Sequence, residues 1–382
     1  MVIHAHHSQS PISGEMKRIM NIDTDVAGIL SDEIVEIEFY SFRAYRYVHT
    51  NGQFKISNKI VRKYYIPNIE HLGILNSLYC SIIIACLCIK YKPSHYIEEW
   101  KFPIGLQRLR NLFFSSTQLV IDIHGAAPEE YLYSNGTVNS TLERSEQYSV
   151  TIADTIICQS DEMKRHLIHK HGCNQDKICV YRCGVDTNIF KLSDIDRKLI
   201  RKQLGIKDGI TLFVYSGGMH KWQKIGTTLR YFLNYHYKYP DSKMLVLTKD
   251  NDGLNQIIED EGLSDVTTAI IVRSLPYNQV SAYLNAADVS FLIRDDVIMN
   301  AVASPTKLAE YMVCGLPVIS SSVAKKWVTP SGLPYIIDYE NTSIEQLHTI
   351  LLSVDKRSIN KYSVDTLSLA IDRQNVKFYF NR

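Results

Sequence analysis

The stretch SPTKLAEYMVCGLPVIS, residues 304–320, decides how the chain is read. Ser304 suits a helix N-cap, and Pro305 suits the first helical position, where a missing N–H costs nothing. Gly315 suits the C-terminal stop with Pro317 just beyond, and PVIS reads as a short buried strand. The spacing predicts a helix of about ten residues leading into that strand. Its first-turn N–H groups and positive dipole end suit an anion. Lys307 adds a full charge in the first turn, where a cation is otherwise mildly unfavourable. That misplacement points to an anionic ligand. Glu310 lies one turn after Thr306 on the same face, and its carboxylate can accept two hydrogen bonds from a ribose diol. A capped surface helix with an incidental lysine and glutamate would have the same spelling.

Outward from this segment, short apolar runs alternate with helical stretches, the pattern of parallel α/β sheets. Strands are expected at 2–6, 34–40, 95–100, 118–123, 155–159 and 177–181, with helices at 15–30 and after Ser160. A polar, charged helix running to about Gly205 reads as a link, after which the pattern restarts. Further strands are expected at 211–215, 243–247, 269–272, 289–293 and 317–320. The chain therefore divides into a domain of residues 1–190 and a domain of residues 191–382. Two successive doubly wound units imply a cleft, with ligands at the carboxyl ends of strands.

Composition narrows the function. A hydrophobic fraction of 45% and a charged fraction of 21% are those of a globular protein. A net charge of +2 argues against electrostatic nucleic-acid binding. The eight cysteines form no C-x2-C pair and read as reduced thiols of a cytoplasmic protein. The N-terminus has no signal-peptide pattern. Residues 72–89, LGILNSLYCSIIIACLCI, are interrupted by Asn76, Ser77 and Ser81 and read as a buried helix rather than a membrane span. Asp250-Asn251-Asp252 has the form of a metal-binding Asp-x-Asp, but Gly253 and a helical pattern follow, so an ordinary βα turn is expected. His166, His169 and His171 lack further ligands in sight, and no metal site is expected.

Residues 304–320 resemble the donor-site segment of the GT-B glycosyltransferases, in particular family 4. Glu310 matches the family's second glutamate, which binds the donor ribose; the first would fall at Val302 and is missing. The resemblance implies a cradle for the diphosphate at Ser304, Pro305, Thr306 and Lys307, with Arg294 and Asn300 as candidates for holding the sugar ring. QSPISGEMKRI resembles the turn after the first strand, with Gly14 near the donor phosphates. IDIHG resembles the strand-end motif that brings His124 to the transferred sugar as a catalytic group. CGVDTNIF resembles a further landmark in which Cys183 stands for the usual Asn. FVYSGGMHKWQKIG resembles the loop that supplies an Arg and a Lys to the diphosphate; Gly218 occupies the Arg position, leaving Gly217, Lys221 and Lys224. The region of Ser274 and Leu275 corresponds to the contact with the base.

The resemblance implies an α/β GT-B fold, two Rossmann-like domains facing a central cleft. The first is expected to take the acceptor and the second the nucleotide sugar, with the C-terminal helix packing back on the first. It further implies retaining transfer without a metal or other cofactor. The expected acceptor is a saccharide or a polyprenyl-linked saccharide, in surface polysaccharide assembly. Peripheral attachment to the inner face of the membrane through the first domain is a further expectation, from residues 59–63 and from Arg108 and Arg110. Two alternatives share the fold: a nucleotide-sugar epimerase, and a non-catalytic subunit that binds the nucleotide sugar.

Overall fold

The computed structural model describes residues 1–7, 18, 21–40, 60–68, 74–99 and 116–380. The chain forms two compact units, Met1–Arg182 with Asp372–Arg382, and Cys183–Ile371.

In the first unit the strands are β1 (Val2–His7), β2 (Glu33–Tyr40), β3 (Ile60–Pro67), β4 (His95–Glu99), β5 (Gln118–Ile123), β6 (Thr155–Cys158) and β7 (Ile178–Val180). They form one sheet in the order β3-β2-β1-β4-β5-β6-β7, with every pairing parallel. Ile3, Ile37, Ile97, Ile121 and Ile157 are fully buried, as expected of strands covered on both faces. The order reverses between β1 and β4. Strand β3, with Arg62 and Lys63 at its centre, is an edge strand that apolar patterning did not reveal. The expected helix at 15–30 is described only in part. Its C-terminal portion is a π-helical turn, Ile22–Ala27, followed by Gly28–Leu30. Asp25 in that turn accepts from the Tyr181 hydroxyl (2.6 Å) and from Arg373 Nε (2.8 Å). Arg373 belongs to the C-terminal helix Leu369–Phe380, whose Val376 is fully buried in the core of this unit.

Residues 72–89 are corrected in one respect. They do form a helix, α1 (Ile74–Tyr91), but only one side of it is buried. That side carries Cys80, Ile84 and Cys88. The two thiols lie near Tyr96 and Glu98 of β4. Glu98 is fully buried beside the Tyr96 hydroxyl, and neither of its oxygens gains a well-formed hydrogen bond. Burial pushes its pKa up to about 8.

The second unit repeats the plan. Strands β8 (Thr211–Ser216), β9 (Ser242–Leu247), β10 (Ile270–Arg273), β11 (Val289–Leu292), β12 (Val318–Ser320) and β13 (Ile336–Asp338) lie in the order β10-β9-β8-β11-β12-β13. All pairings are again parallel. The reversal falls between β8 and β11. Two apolar cores, around Leu212, Val214 and Met312 and around Phe213, Phe232 and Phe291, fill the two faces.

Glu98 generates a stability prediction. Its folded pKa exceeds the unfolded value, so its contribution is present at low pH and is lost as pH rises from about 4.5 to about 8. Glu98→Gln should remove this loss and leave the variant more stable than the parent at pH 8 by on the order of 2 kcal/mol. Denaturant melts of both proteins across that range check it, and parallel pH profiles would contradict it.

Candidate functional site

Ligands in doubly wound sheets bind where the strand order reverses, at the carboxyl ends of the strands. In the second unit that point lies beyond β8 and β11. Ser216 closes β8 and Gly217 follows it. Leu292 closes β11, with Arg294 two residues on.

Two hydroxyls hold the loop after β8. Tyr311 receives the Ser216 N–H (2.8 Å), and Tyr215 donates to the Gly218 carbonyl (2.6 Å). Gly217 has φ +157°, a conformation that L side chains rarely adopt. A Cβ there would overlap Lys307 Nζ and come within 2.7 Å of Lys307 Cε. Lys307 thus lies directly over the loop backbone, its Nζ 5.4 Å from the Tyr215 ring centre.

Lys307 opens the helix α2 (Thr306–Val313). The expected cap is corrected here. Pro305 occupies the N-cap position, and no side chain caps the helix. The Ser304 hydroxyl instead accepts the Cys183 backbone N–H at 3.1 Å. A hydroxyl turned toward that segment cannot also serve the first turn, so α2 begins without a side-chain acceptor.

Arg294 is 8% exposed. Its guanidinium lies 4.8 Å from the Trp222 ring centre and 5.5 Å from that of Trp327. The Arg294 Nε is buried without a hydrogen-bond partner. Among the described residues, no carboxylate forms an ion pair with Arg294 or Lys307. Burial, joined by the nearby Arg294 charge, pushes the Lys307 ammonium down to about 7, against the opposing pull of Glu310. Burial likewise lowers Arg294 to about 10. Arg294 and Lys307 are thus two buried basic groups close enough for the charge of the first to disfavour that of the second.

Glu310, on α2, is 7% exposed and accepts from the Tyr277 hydroxyl at 3.1 Å. The Tyr277 ring packs against Phe190, 5.3 Å between centres. Ser274 and Leu275 occupy the turn after β10, Ser274 exposed and Leu275 partly packed on the core.

Other expected residues are engaged elsewhere. The Asn300 amide donates to the Asp295 carbonyl (2.9 Å), and its own carbonyl receives Trp327 Nε1 (2.9 Å); it is 1% exposed and braces the Arg294 loop. Lys224 pairs with Asp295 at 3.2 Å, and Lys221 is exposed. Gly14 lies outside the described residues. Val302 is buried. Asp250 accepts the Gly253 N–H at 2.9 Å and caps the helix Asn251–Asp260, as an ordinary βα turn does.

In the first unit, His124 follows β5, and its Nε2 lies 2.8 Å from Asp122 Oδ2. Asp122 is fixed by Arg18, whose Nη2 and Nε donate to it at 2.5 and 3.1 Å. Arg18 Nη1 also donates to the Tyr181 carbonyl at 2.7 Å. Burial alone would raise the Asp122 pKa, but Arg18 and His124 hold it well below the usual carboxylate range. Asp122 and Arg18 were not foreseen. Asp122 could have been, since it precedes His124 by two positions and shares its face of the strand.

Three ligand atoms of His6, Glu36 and Glu38 lie within 4.8 Å of one another. Lys63 pairs with both carboxylates (2.7 and 2.8 Å) and His6 Nε2 lies 2.9 Å from Glu36, so side chains of the chain itself already engage them. His166 and His171 pair with Glu129 and Glu146. A concavity of about 1020 Å³ lined by Lys198, Lys202 and Lys207 shares no residue with the Lys307 site. Its Arg197 and Arg201 already pair with Asp288.

Residues 50–189 match the model of "Glycosyltransferase Family 4". A D-inositol 3-phosphate glycosyltransferase of Corynebacterium kroppenstedtii is 26% identical over 201 residues, 50% of this chain. The chain spans only 42% of that relative's length. The sucrose-phosphate synthase from Thermosynechococcus elongatus superposes with a TM-score of 0.72 at 14% identity, over 100% of this chain and 98% of that one. HepE from Anabaena, solved with UDP and glucose, gives 0.70 at 14%, over 100% and 99%. Two parallel sheets with reversed strand order and these full-length superpositions give the chain the GT-B fold of these glycosyltransferases, and its residues 50–189 are similar to family 4.

Proposed function

We propose that the chain is a retaining glycosyltransferase that moves a sugar from a nucleoside-diphosphate sugar to a saccharide or polyprenyl-linked saccharide, in surface polysaccharide assembly. The buried Arg294–Lys307 pair carries the reading. A diphosphate is the doubly anionic group that two desolvated cations and an uncapped helix start accommodate together. The UDP held by the Anabaena relative supports a nucleotide as its bearer.

On this reading Lys307, Arg294 and the first N–H groups of α2 neutralise the departing diphosphate, where charge develops as the glycosidic bond breaks. No metal is needed for that neutralisation. Glu310 takes the ribose diol, with Tyr277 setting its orientation. The backbone at Ser274 and Leu275 meets the base. His124, oriented by Asp122, hydrogen-bonds the transferred sugar. Retention in a same-face displacement requires positioning and leaving-group stabilisation rather than an enzyme nucleophile.

Lys307→Met should separate binding from stability. The depressed Lys307 pKa means that the unfolded chain holds its proton more tightly, so the free protein loses stability as pH falls from about 10.5 to about 7. Removing the charge should stabilise the free protein at pH 7 by roughly 2 kcal/mol, while nucleoside diphosphate binding falls at least tenfold and nucleoside binding changes little. In the parent, diphosphate affinity should weaken as pH rises above about 7, because binding needs the protonated amine. Denaturant melts at pH 7 read the stability, and isothermal titration across pH with both proteins reads the affinities. A variant that binds diphosphate normally ends the assignment.

Transfer should persist in EDTA and in the double variant Asp250→Ala, Asp252→Ala. Loss in EDTA with recovery on added Mn²⁺ would establish a metal-dependent reaction instead.

His124→Ala should lower turnover by on the order of a hundredfold, the scale of one lost transition-state donor, with diphosphate affinity nearly unchanged. Comparing the two in one purified variant decides the matter. Donor binding without transfer by the parent would favour the non-catalytic subunit, and donor isomerisation without acceptor would favour the epimerase.

A further inference from the structure

Helix α1 buries Cys80, Ile84, Leu87 and Cys88 on one side and leaves the other uncovered. Leu75, Leu78, Ile82 and Ile89 are 64, 54, 51 and 49% exposed, and Tyr79 and Cys86 are exposed between them. Their three- and four-residue spacing makes one continuous stripe, running about 21 Å along the helix. Contiguous apolar surface of this kind marks a place of attachment.

The surrounding charge identifies what attaches. Residues 74–91 contain no Asp or Glu. At the C-terminal end of the stripe stand Lys90 and, just past the helix, Lys92. Arg62 of the edge strand β3 and Lys90 lie 5.7 and 5.0 Å from the Tyr91 ring centre. The Tyr64 and Tyr91 hydroxyls meet there. An apolar stripe that gives way to tyrosines and then to cations matches the order of acyl chain, interface and anionic headgroup in a lipid leaflet. Each cation near such a surface adds attraction that an uncharged or basic partner face would not supply. No helix among the described residues is long and apolar enough to cross a membrane. The inner side of α1 is committed to its sheet, so the helix can lie on a leaflet but not enter it end-on.

We propose that α1 docks the first unit on an anionic lipid surface, with Leu75, Leu78, Ile82 and Ile89 among the acyl chains and Arg62, Lys90 and Lys92 at the headgroups. Of the basic residues expected from sequence to serve this purpose, Lys63 is taken by Glu36 and Glu38, and Lys59, Arg108 and Arg110 lie outside the described residues. The inference is independent of the donor-site reading, since it uses none of those residues.

Flotation of the full chain with phosphatidylcholine vesicles, with and without phosphatidylglycerol, tests it. The parent should float with the anionic vesicles and far less with the neutral ones. Leu78→Ser with Ile82→Ser should reduce flotation by roughly tenfold or more, given the apolar area removed. Lys90→Gln with Lys92→Asn should abolish the preference for phosphatidylglycerol while leaving residual binding. Circular dichroism and diphosphate titration establish that both variants are folded. Flotation unchanged in the serine variant, or absent in the parent, overturns the proposal. So does a concentration-dependent dimer of the parent that the serine variant loses, which would make a second copy the occupant.

Discussion

Two basic side chains held out of water, with no carboxylate of the described residues paired to either, set the terms for the second unit. Arg294 is kept beside Trp222 and Trp327, and Lys307 lies against the loop backbone at Gly217. Neither position would be tolerable for a cation unless something else recovered the desolvation cost. The parallel sheet makes the arrangement possible. Its reversal between β8 and β11 opens a gap at the strand ends, and the loops from both strands and the start of α2 converge there. The tyrosines that pin Ser216 and Gly218, and the Asn300 bracing of Trp327, are the supports that keep the cations from relaxing toward solvent.

The first unit solves its electrostatics in the opposite way. Around Asp122 two buried carboxylates are paired: Asp122 with Arg18, and Asp25 with Arg373 and the Tyr181 hydroxyl. Such a network orients groups rather than waiting for a ligand, and its effect on His124 is to fix one ring nitrogen against Asp122. One unit stores an unsatisfied charge and the other a satisfied one, on the same parallel architecture.

Most strands were legible because parallel strands buried on both faces read as short apolar runs, as β5 and β6 do. Strand β3 was not, because an edge strand can carry Arg62 and Lys63, and β13 is too short to show a pattern. Residues 72–89 read as wholly buried because apolar residues occur all round the helix, and periodicity cannot say which side is covered. In the site, Lys307 could be inferred from a cation placed at the wrong end of a helix. Its companionship with Arg294 could not, since the tryptophans around Arg294 lie far away in sequence on either side of it. Arg18 is likewise separated from Asp122 by more than a hundred residues, a contact that only the fold creates.

The return of residues from Asp372 onward to the first unit has a consequence for biosynthesis. Val376 fills the core beneath β1, β4 and β5, and Arg373 completes the Asp25 pair. A ribosome makes these residues only after the whole of Cys183–Ile371 has emerged. Domains fold as units in order of emergence where they can. Here the later-made unit has all its residues first, while the earlier-made one must wait with a gap in its core. The order of completion is therefore the reverse of the order of synthesis, and the nascent first unit is the one that carries an unfilled core in the meantime.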